Sequence, residues 1–279
     1  MNNELYLSLK ITNWCNLCCR HCCECSDPNQ VPNFIPLEKI DKYLYESRKM
    51  FIVPNPLLCI GGGEAMAPYM YGMSQYIPYA LDLVYKYNYI PTIKTNGTWG
   101  DNDNLRTNIL HGLAKSAYKA QKLVTLDISV DEFHNNHSGV IKIIQETLSN
   151  SDLCFAIRIC LVGFNTQQSK NTLDLLQYTL QSQGFDIVKT IANDWIISSP
   201  NGENGVYMVN DFAANIYNLG RAKDNNVFTS QSNPNGNDGA DCLQLDNNDT
   251  AIFNYMYREQ IKKRTLNDVL KSIIRNNTR

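Results

Sequence analysis

The sequence has no large excess of charge of either sign and no long apolar run. Its 25 Lys and Arg residues face 27 Asp and Glu residues, which argues against a surface built for phosphate backbones and so against a nucleic-acid partner. The longest apolar stretch, near Phe51–Ile60, is interrupted by Pro54 and Pro56, so it cannot span a bilayer. The N-terminus has neither the basic nor the apolar region of a secretory signal. We therefore expect a cytoplasmic protein with no membrane partner.

Cysteine is nearly absent from the second half of the chain. Six of the ten cysteines fall within the first 25 residues, and Cys242 is the only one after Cys160. A chain of 279 residues, 43% of them apolar, can bury a core without disulfide support. The missing export signal indicates a reducing compartment, where thiolates stay available for iron. The N-terminal cysteines therefore indicate a metal site or redox thiols rather than a disulfide framework.

The N-terminal cysteine run supports more than one set of metal ligands. Cys15, Cys19 and Cys22 have C-x3-C-x2-C spacing in a short loop after an apolar strand, and Cys18, Cys22 and Cys25 repeat that spacing. Two C-x2-C pairs in the same run would suit zinc, although the three residues between them leave little room for tetrahedral closure. Three thiolates on one loop suit a 4Fe–4S cluster with one open iron. The spacing favours the cluster and leaves its register open.

The stretch Ile11-Thr-Asn-Trp-Cys-Asn-Leu-Cys-Cys-Arg-His-Cys22 resembles the signature of radical S-adenosylmethionine (SAM) enzymes, a strand and Thr followed by C-N-L-x-C-x-x-C. The pair Asn16-Leu17 fits only one of the two registers. His21 stands where the family usually has an aromatic residue near the cofactor. The resemblance implies that an open iron chelates SAM, whose reductive cleavage yields a 5′-deoxyadenosyl radical that abstracts hydrogen from a substrate. The implied ligands of the 4Fe–4S cluster are Cys15, Cys19 and Cys22.

Three further motifs end successive predicted strands and are similar to motifs of the same family. They are Gly62-Gly63-Glu64, Thr95-Asn96-Gly97 and Ser129-Val130-Asp131. Each also has a simpler interpretation, respectively a tight turn, a turn pair, and a capping Asp beside a buried Ser. The carboxyl ends of parallel strands line the crevice in which ligands bind. The resemblance implies that SAM binds there, with contacts from Gly62, Gly63, Glu64, Thr95, Asn96, Ser129 and Asp131.

Two other features leave their role open. Arg158 lies within an apolar strand, where a charge needs a partner. It would hold a carboxylate of SAM or substrate if it points inward, and would pair with a helix if it points outward. His134 and His137 have the i, i+3 spacing of a metal pair, but no nearby cysteine or second carboxylate pattern completes a site. We therefore expect these histidines in a solvated loop.

Strands that alternate with helices predict an α/β fold with a parallel sheet and right-handed crossovers. The resemblance implies a partial (β/α)6 barrel of the radical SAM type over residues 1–190, followed by a loop-rich α+β extension over 191–279. The predicted helices cover 36–45, 73–88, 103–118, 138–149, 169–183 and 266–274. The predicted strands cover 5–11, 56–60, 90–95, 123–130, 154–162, 185–190 and 251–257.

The C-terminal extension resembles a degenerate SPASM or twitch domain. Gly220-Arg221-Ala222 is similar to a tripeptide found after the sixth strand in peptide-modifying members of the family. One cysteine cannot hold a cluster, so Cys242 is either structural or, in the sharper hypothesis, a hydrogen-atom donor to a substrate radical. We expect Cys18, Cys23 and Cys25 to pack as small apolar residues or to lie exposed.

Three functions are consistent with the sequence. The first is a radical SAM enzyme that modifies a peptide by epimerisation, crosslinking or a related change. The second is a radical SAM enzyme that acts on a small molecule or nucleotide. The third is a non-catalytic zinc or iron–sulfur protein, which leaves the motifs at successive strand ends unexplained. The resemblance also implies a flavodoxin or ferredoxin as reductant, and a separate precursor-binding protein would suit a peptide substrate.

Overall fold

The computed structural model of the chain describes residues 5–49, 54–192, 194–200, 202, 204–214, 221, 224–225, 241–246, 248, 250–253, 257–260, 266 and 268. The side chains of some strand residues, Cys242 among them, lie outside the described part. Of the tripeptide at 220–222, only Arg221 is described.

Five parallel strands in chain order form the centre of the sheet, which confirms the predicted α/β class. These strands are β1 (Leu5–Thr12), β2 (Leu57–Gly62), β3 (Ile90–Thr95), β4 (Val124–Ser129) and β5 (Ile157–Phe164). The helices between and after them are α1 (Leu37–Arg48), α2 (Ala67–Met70), α3 (Tyr76–Lys86), a 3-10 turn (Thr98–Asp101), α4 (Asp103–Ala120), α5 (His137–Ser149), α6 (Ser151–Ala156) and α7 (Gln167–Ser182). Within the described ranges, no helix combines the length and the apolar character that a membrane crossing requires.

Alternating side chains give the central strands one apolar and one polar face. In β4, the fully buried Val124, Leu126 and Ile128 alternate with half-buried Thr125, Asp127 and Ser129. Successive side chains of a strand point to opposite faces, so the apolar set joins the core beneath the helices. The polar face is left on the other side of the sheet. Its side chains are the ones available to a ligand.

The strand that continues the parallel series beyond β5 is β8 (Gly205–Ala214), not the sixth strand predicted over 185–190. β8 pairs parallel with β5. The predicted segment forms β6 (Asp186–Lys189), which pairs antiparallel with β7 (Trp195–Ser198), itself an antiparallel neighbour of β8. The single buried residue of β6, Ile187, suits an edge strand better than an interior one. The sheet therefore continues past residue 190 without interruption.

Three C-terminal strands extend the other edge of the same sheet. β9 (Asp241–Asp246) pairs parallel with β1, and β10 (Thr250–Phe253) and β11 (Tyr257–Gln260) follow as an antiparallel hairpin. This hairpin replaces the single strand predicted over 251–257. The strands that the structure describes form an open sheet in the order β11-β10-β9-β1-β2-β3-β4-β5-β8-β7-β6.

The start of the fifth strand also differs from the prediction. The fifth strand was predicted from residue 154 but begins at Ile157, because Cys154 lies in the short helix α6, whose first turn is capped by the Asn150 side chain. Of the helix predicted over 266–274, Leu266 and Asp268 are helical, and the other positions lie outside the described residues.

Candidate functional site

The cysteine loop, residues 15–27, is closed at its base. Trp14 is buried, its backbone N–H donates to Thr12 Oγ1 (3.1 Å), and its indole N–H donates to the Pro28 carbonyl (3.3 Å). The Cys15 amide lies 3.5 Å from the Asp27 carbonyl, so the two arms of the loop meet. Lys10 of β1 pairs with Glu24 in the second arm. The loop is therefore fixed to the carboxyl end of β1.

Glycine at the end of β2 allows the cysteine loop to pack against the backbone. The Gly63 amide donates to the Thr12 carbonyl (2.8 Å) and the Glu64 amide to the Trp14 carbonyl (2.9 Å). A Cβ on Gly63 would overlap the Trp14 carbonyl, and Gly62 has a φ of +115°, which side chains rarely adopt. The close approach of the cysteine loop to the end of β2 therefore explains the glycines of this turn. The amides of Gly63 and Glu64 donate hydrogen bonds to the residues that lead into the loop.

Glu64 connects the ends of β2 and β3. Its fully buried carboxylate accepts hydrogen bonds from the Met66 amide (2.9 Å), Thr95 Oγ1 (2.6 Å) and the Asn96 amide (2.8 Å). Burial raises the pKa of Glu64 above its ordinary value, and these hydrogen bonds act against that shift. Two of the three sequence motifs thus meet at one buried carboxyl group.

Asn96 carries the connection from β3 to the first cysteine. Its side-chain amide donates to Asn16 Oδ1 (2.8 Å) and lies 3.6 Å from Cys15 Sγ. The Leu17 amide donates to the same sulfur at 3.4 Å. Burial, together with the charge of Glu64, raises the pKa of Cys15 to about 12. A thiol in this setting ionises readily only next to a cation such as a bound metal.

His134 lies at the second cysteine, which corrects the expectation of a solvated loop. Its Nδ1 lies 2.8 and 2.9 Å from the two carboxylate oxygens of Asp131, and its side chain is only 11% exposed. Burial opposes charge on both groups, but their pairing outweighs it, lowering the pKa of Asp131 and raising that of His134 to about 10. The interaction of His134 with Cys19 also raises that pKa. The spacing in the sequence suggested His137 as the partner of His134, whereas the structure pairs His134 with Asp131, three residues earlier.

His21 lies in an aromatic group beside this pair. Its ring centroid is 4.5 Å from that of Phe133, 4.9 Å from that of Phe164 and 5.2 Å from that of His134. Burial and the charge of His134 lower the pKa of His21 to about 4, so its imidazole is neutral. Sequence analysis did not identify Phe133 or Phe164, because a single aromatic residue gives no motif.

Asn136 is a further residue that sequence analysis missed. It is almost fully buried, and its side-chain amide donates to the carbonyls of Ser129 (2.6 Å) and Asn96. The ends of β3 and β4 are joined by these two hydrogen bonds. Polar residues such as Asn135 and Asn136 usually indicate a surface turn, so their sequence carried no signal of burial.

The donor atoms around the cysteine loop distinguish between the candidate metals. Among the described residues, only His21, Asp131 and His134 bring three possible ligand atoms within 4.8 Å of one another. His134 Nδ1 already bonds Asp131 in that group. The described cysteine thiols are not gathered so tightly, and thus do not fit a single tetrahedral zinc ion. Three thiols on one loop are the donor type that an iron–sulfur cluster takes.

The remaining cysteines of the run differ in exposure. Cys18 is exposed, and Cys25 has a positive φ of 53°. Cys23 is also exposed.

Two predicted site residues lie at the opposite end of the sheet. Arg158 is exposed near the start of β5, opposite Thr125 of β4. The backbone of Cys242 pairs with Tyr6, six residues before Thr12 and so about 20 Å from the end of β1 at about 3.3 Å per residue. The structure does not bring either residue to the cysteine loop. His137 also turns away, toward Thr179 Oγ1 on α7 (3.3 Å).

No protein-family model and no curated protein sequence matches the chain. Its fold is similar to that of solved structures. Native anSMEcpe with bound AdoMet shares 12% identity with a TM-score of 0.52, over 95% of this chain and 80% of that chain. Native anSMEcpe with bound AdoMet and Kp18Cys peptide gives a TM-score of 0.51 with the same identity and coverage.

A third solved structure is matched over a smaller share of its length. The complex of native anSMEcpe with AdoMet and Cp18Cys peptide matches at 15% identity and a TM-score of 0.42, over 64% of this chain and 48% of that chain. In this alignment the chain spans about half of the neighbour's length. Identities this low establish the fold alone, and here they agree with the element order and the sheet topology. The chain has the α/β fold of the radical SAM type, and its described strands form a largely parallel sheet that is not closed into a barrel.

Proposed function

We propose that the protein is a radical SAM enzyme that holds a 4Fe–4S cluster on Cys15, Cys19 and Cys22. The observation that carries this proposal is the hydrogen-bonded network between the cysteine loop and the carboxyl ends of β2 and β3. It runs from Glu64 through Asn96 to Cys15. Motifs that meet at this edge of a parallel sheet support a cofactor site there. The fold shared with AdoMet-bound anSMEcpe supports SAM as the ligand.

The environment of the cysteines supports thiolate ligands. The Leu17 amide and the Asn96 side chain direct N–H groups at Cys15, and the cation of His134 interacts electrostatically with Cys19. Such hydrogen bonds stabilise negative charge on sulfur and tune the potential of a cluster. When bound, the cluster and SAM together supply a 5′-deoxyadenosyl radical, which can remove hydrogen from an unactivated C–H bond.

The buried strand-end residues position the site rather than contact SAM. Glu64 and Thr95 are buried and bonded to each other, and both carboxylate oxygens of Asp131 face His134. Their part is to fix Asn96 and His134 against the cysteine loop. Ser129 and His21 are less buried and are the residues we propose for direct contact with SAM. The aromatic group around His21 offers a flat surface for the adenine ring.

A peptide is the substrate class we propose, with epimerisation, crosslinking or a related modification as the reaction. It is supported by the similar fold of anSMEcpe, whose structure with AdoMet also holds a Kp18Cys peptide. A flavodoxin or ferredoxin would supply the electron, and a separate protein would present the precursor. The position of Cys242 lends no support to a role as hydrogen donor.

Single cysteine substitutions test the ligand set. After anaerobic reconstitution we expect about four irons per chain, lost in Cys15→Ala, Cys19→Ala and Cys22→Ala. Cys18→Ala, Cys23→Ala and Cys25→Ala are matched controls on the same loop and should keep the iron. Iron lost from Cys25→Ala but kept in Cys15→Ala would instead establish the other register. The readouts are iron content and the visible absorption spectrum.

A further inference from the structure

Arg221 returns to the cysteine loop from beyond β8, and the proposed function gives it no role. Its guanidinium Nε donates to the Cys19 carbonyl (2.9 Å), and a terminal nitrogen donates to the Ser26 carbonyl. Its backbone amide donates to the Cys22 carbonyl (3.0 Å). One residue therefore bonds three carbonyls of a loop that lies about two hundred positions earlier in the chain.

Asn225 adds a fourth contact from the same helical turn. Its side-chain amide donates to the Arg20 carbonyl (3.2 Å). The same amide donates to the Arg221 carbonyl (2.8 Å), to which the Asn225 backbone N–H also donates (2.9 Å). These bonds fix Asn225 relative to Arg221. The two side chains therefore approach the loop as one unit, which we call the Arg221 clamp.

The clamp contacts both arms of the loop. The carbonyls of Cys19 and Cys22 belong to the arm that carries the proposed ligands, whereas Ser26 and Asp27 belong to the returning arm. Arg221 Nη1 lies 3.8 Å from Asp27 Oδ2, and its side chain is only 16% exposed. The Asp27 carbonyl in turn faces the Cys15 amide. A planar guanidinium has several donors in a fixed fork, which suits this bridging contact.

We propose that Arg221, assisted by Asn225, is a positioning residue that holds the cysteine loop in the conformation required of its metal ligands. That this conformation serves metal binding rests on the proposed function. The clamp itself consists of hydrogen bonds within the protein, so it can be tested without a cluster. Loss of Arg221 would leave two partly buried carbonyls without a charged donor, and the loop would open more often.

Hydrogen–deuterium exchange of the full-length chain without metal measures this opening. We expect exchange in peptides covering residues 15–27 to be at least about tenfold faster in Arg221→Ala, the factor expected for one lost hydrogen bond from a charged donor. Arg221→Lys keeps the charge but cannot reach the Cys19 and Ser26 carbonyls together, so it should be intermediate. Asn225→Ala should have a smaller effect. Arg48→Ala is the matched control, because Arg48 also bonds a carbonyl, that of Pro54 (3.1 Å).

A second readout follows iron in the same variants. Reconstituted Arg221→Ala should lose iron to a chelator several times faster than the parent and Arg48→Ala. Unchanged exchange over residues 15–27 in folded Arg221→Ala would overturn the clamp, whatever the iron content. Should Arg221→Ala fail to fold, Arg221→Lys and Asn225→Ala decide in the same way. If the parent protein takes up no iron, the proposed function is contradicted. If Arg221→Ala nevertheless exchanges faster than the parent over residues 15–27, the clamp remains supported.

Discussion

Glu64 connects the ends of β2 and β3 from inside the protein. Its carboxylate has three hydrogen-bond donors, one of them the Asn96 amide, and it is fully buried. An unpaired buried carboxylate would be costly, so these bonds are needed for the strand ends to remain together. Asp131 plays a comparable part for His134. Single buried acids thus fix the groups that face the cysteine loop.

Asp127 provides a test of electrostatics on the polar face of the sheet. Burial raises its pKa from 3.8 to about 6, although the charge of Lys94 acts in the opposite direction. A carboxyl group whose folded-state pKa is raised stabilises the fold below its unfolded-state pKa, and this contribution is lost as the pH rises through about 6. Between pH 4 and pH 7 the parent should therefore lose about 2–3 kcal/mol of unfolding free energy relative to Asp127→Asn.

Urea unfolding of the metal-free protein across this pH range measures the difference. Asp186→Asn, at an exposed position of β6, controls for the removal of a carboxylate. The account of Asp127 fails if its substitution leaves the pH dependence of unfolding unchanged.

At the scale of elements, the turn after β2 and the cysteine loop depend on each other. A Cβ on Gly63 would overlap the Trp14 carbonyl, whereas the nearest atom to a Cβ on Gly61 is Cys59 Sγ at 3.5 Å. We therefore expect Gly63→Ala to lower the unfolding free energy by about 3 kcal/mol, because the loop must move. Gly61→Ala, two positions earlier, should change it by less than about 0.5 kcal/mol. Equal effects of the two substitutions in urea unfolding would contradict the packing described for Gly63.

The positions of the central strands and helices could be predicted from local patterns, whereas the strand pairings at the edges of the central sheet could not. The alternation in β4 and the capped helix α4 are encoded within a few residues, so their positions matched expectation. The pairing of β9 with β1, and of β8 with β5, joins distant segments whose residues give no local signal. The cysteine run identified the loop, but the roles of His134, Asn136 and Arg221 follow from tertiary contacts.

At the scale of the whole molecule, the sheet unites the predicted barrel with the predicted extension. β8 covers the edge of β5, and β9 covers the edge of β1 with the fully buried Leu245. A fragment of residues 1–190 would expose the edges of two central strands and lose part of the core. We therefore expect this fragment to show no cooperative thermal transition by circular dichroism, while the full chain shows one. A cooperative transition of the fragment would establish 1–190 as an independent domain.

Reductive cleavage of SAM is the measurement that tests the central claim most directly. The full chain, reconstituted anaerobically and assayed for iron, would be incubated with SAM and dithionite, and 5′-deoxyadenosine would be quantified by mass spectrometry. The account predicts about four irons per chain and slow release of 5′-deoxyadenosine even without substrate, with neither in Cys19→Ala. A preparation that holds four irons per chain but releases no more 5′-deoxyadenosine than Cys19→Ala would contradict it.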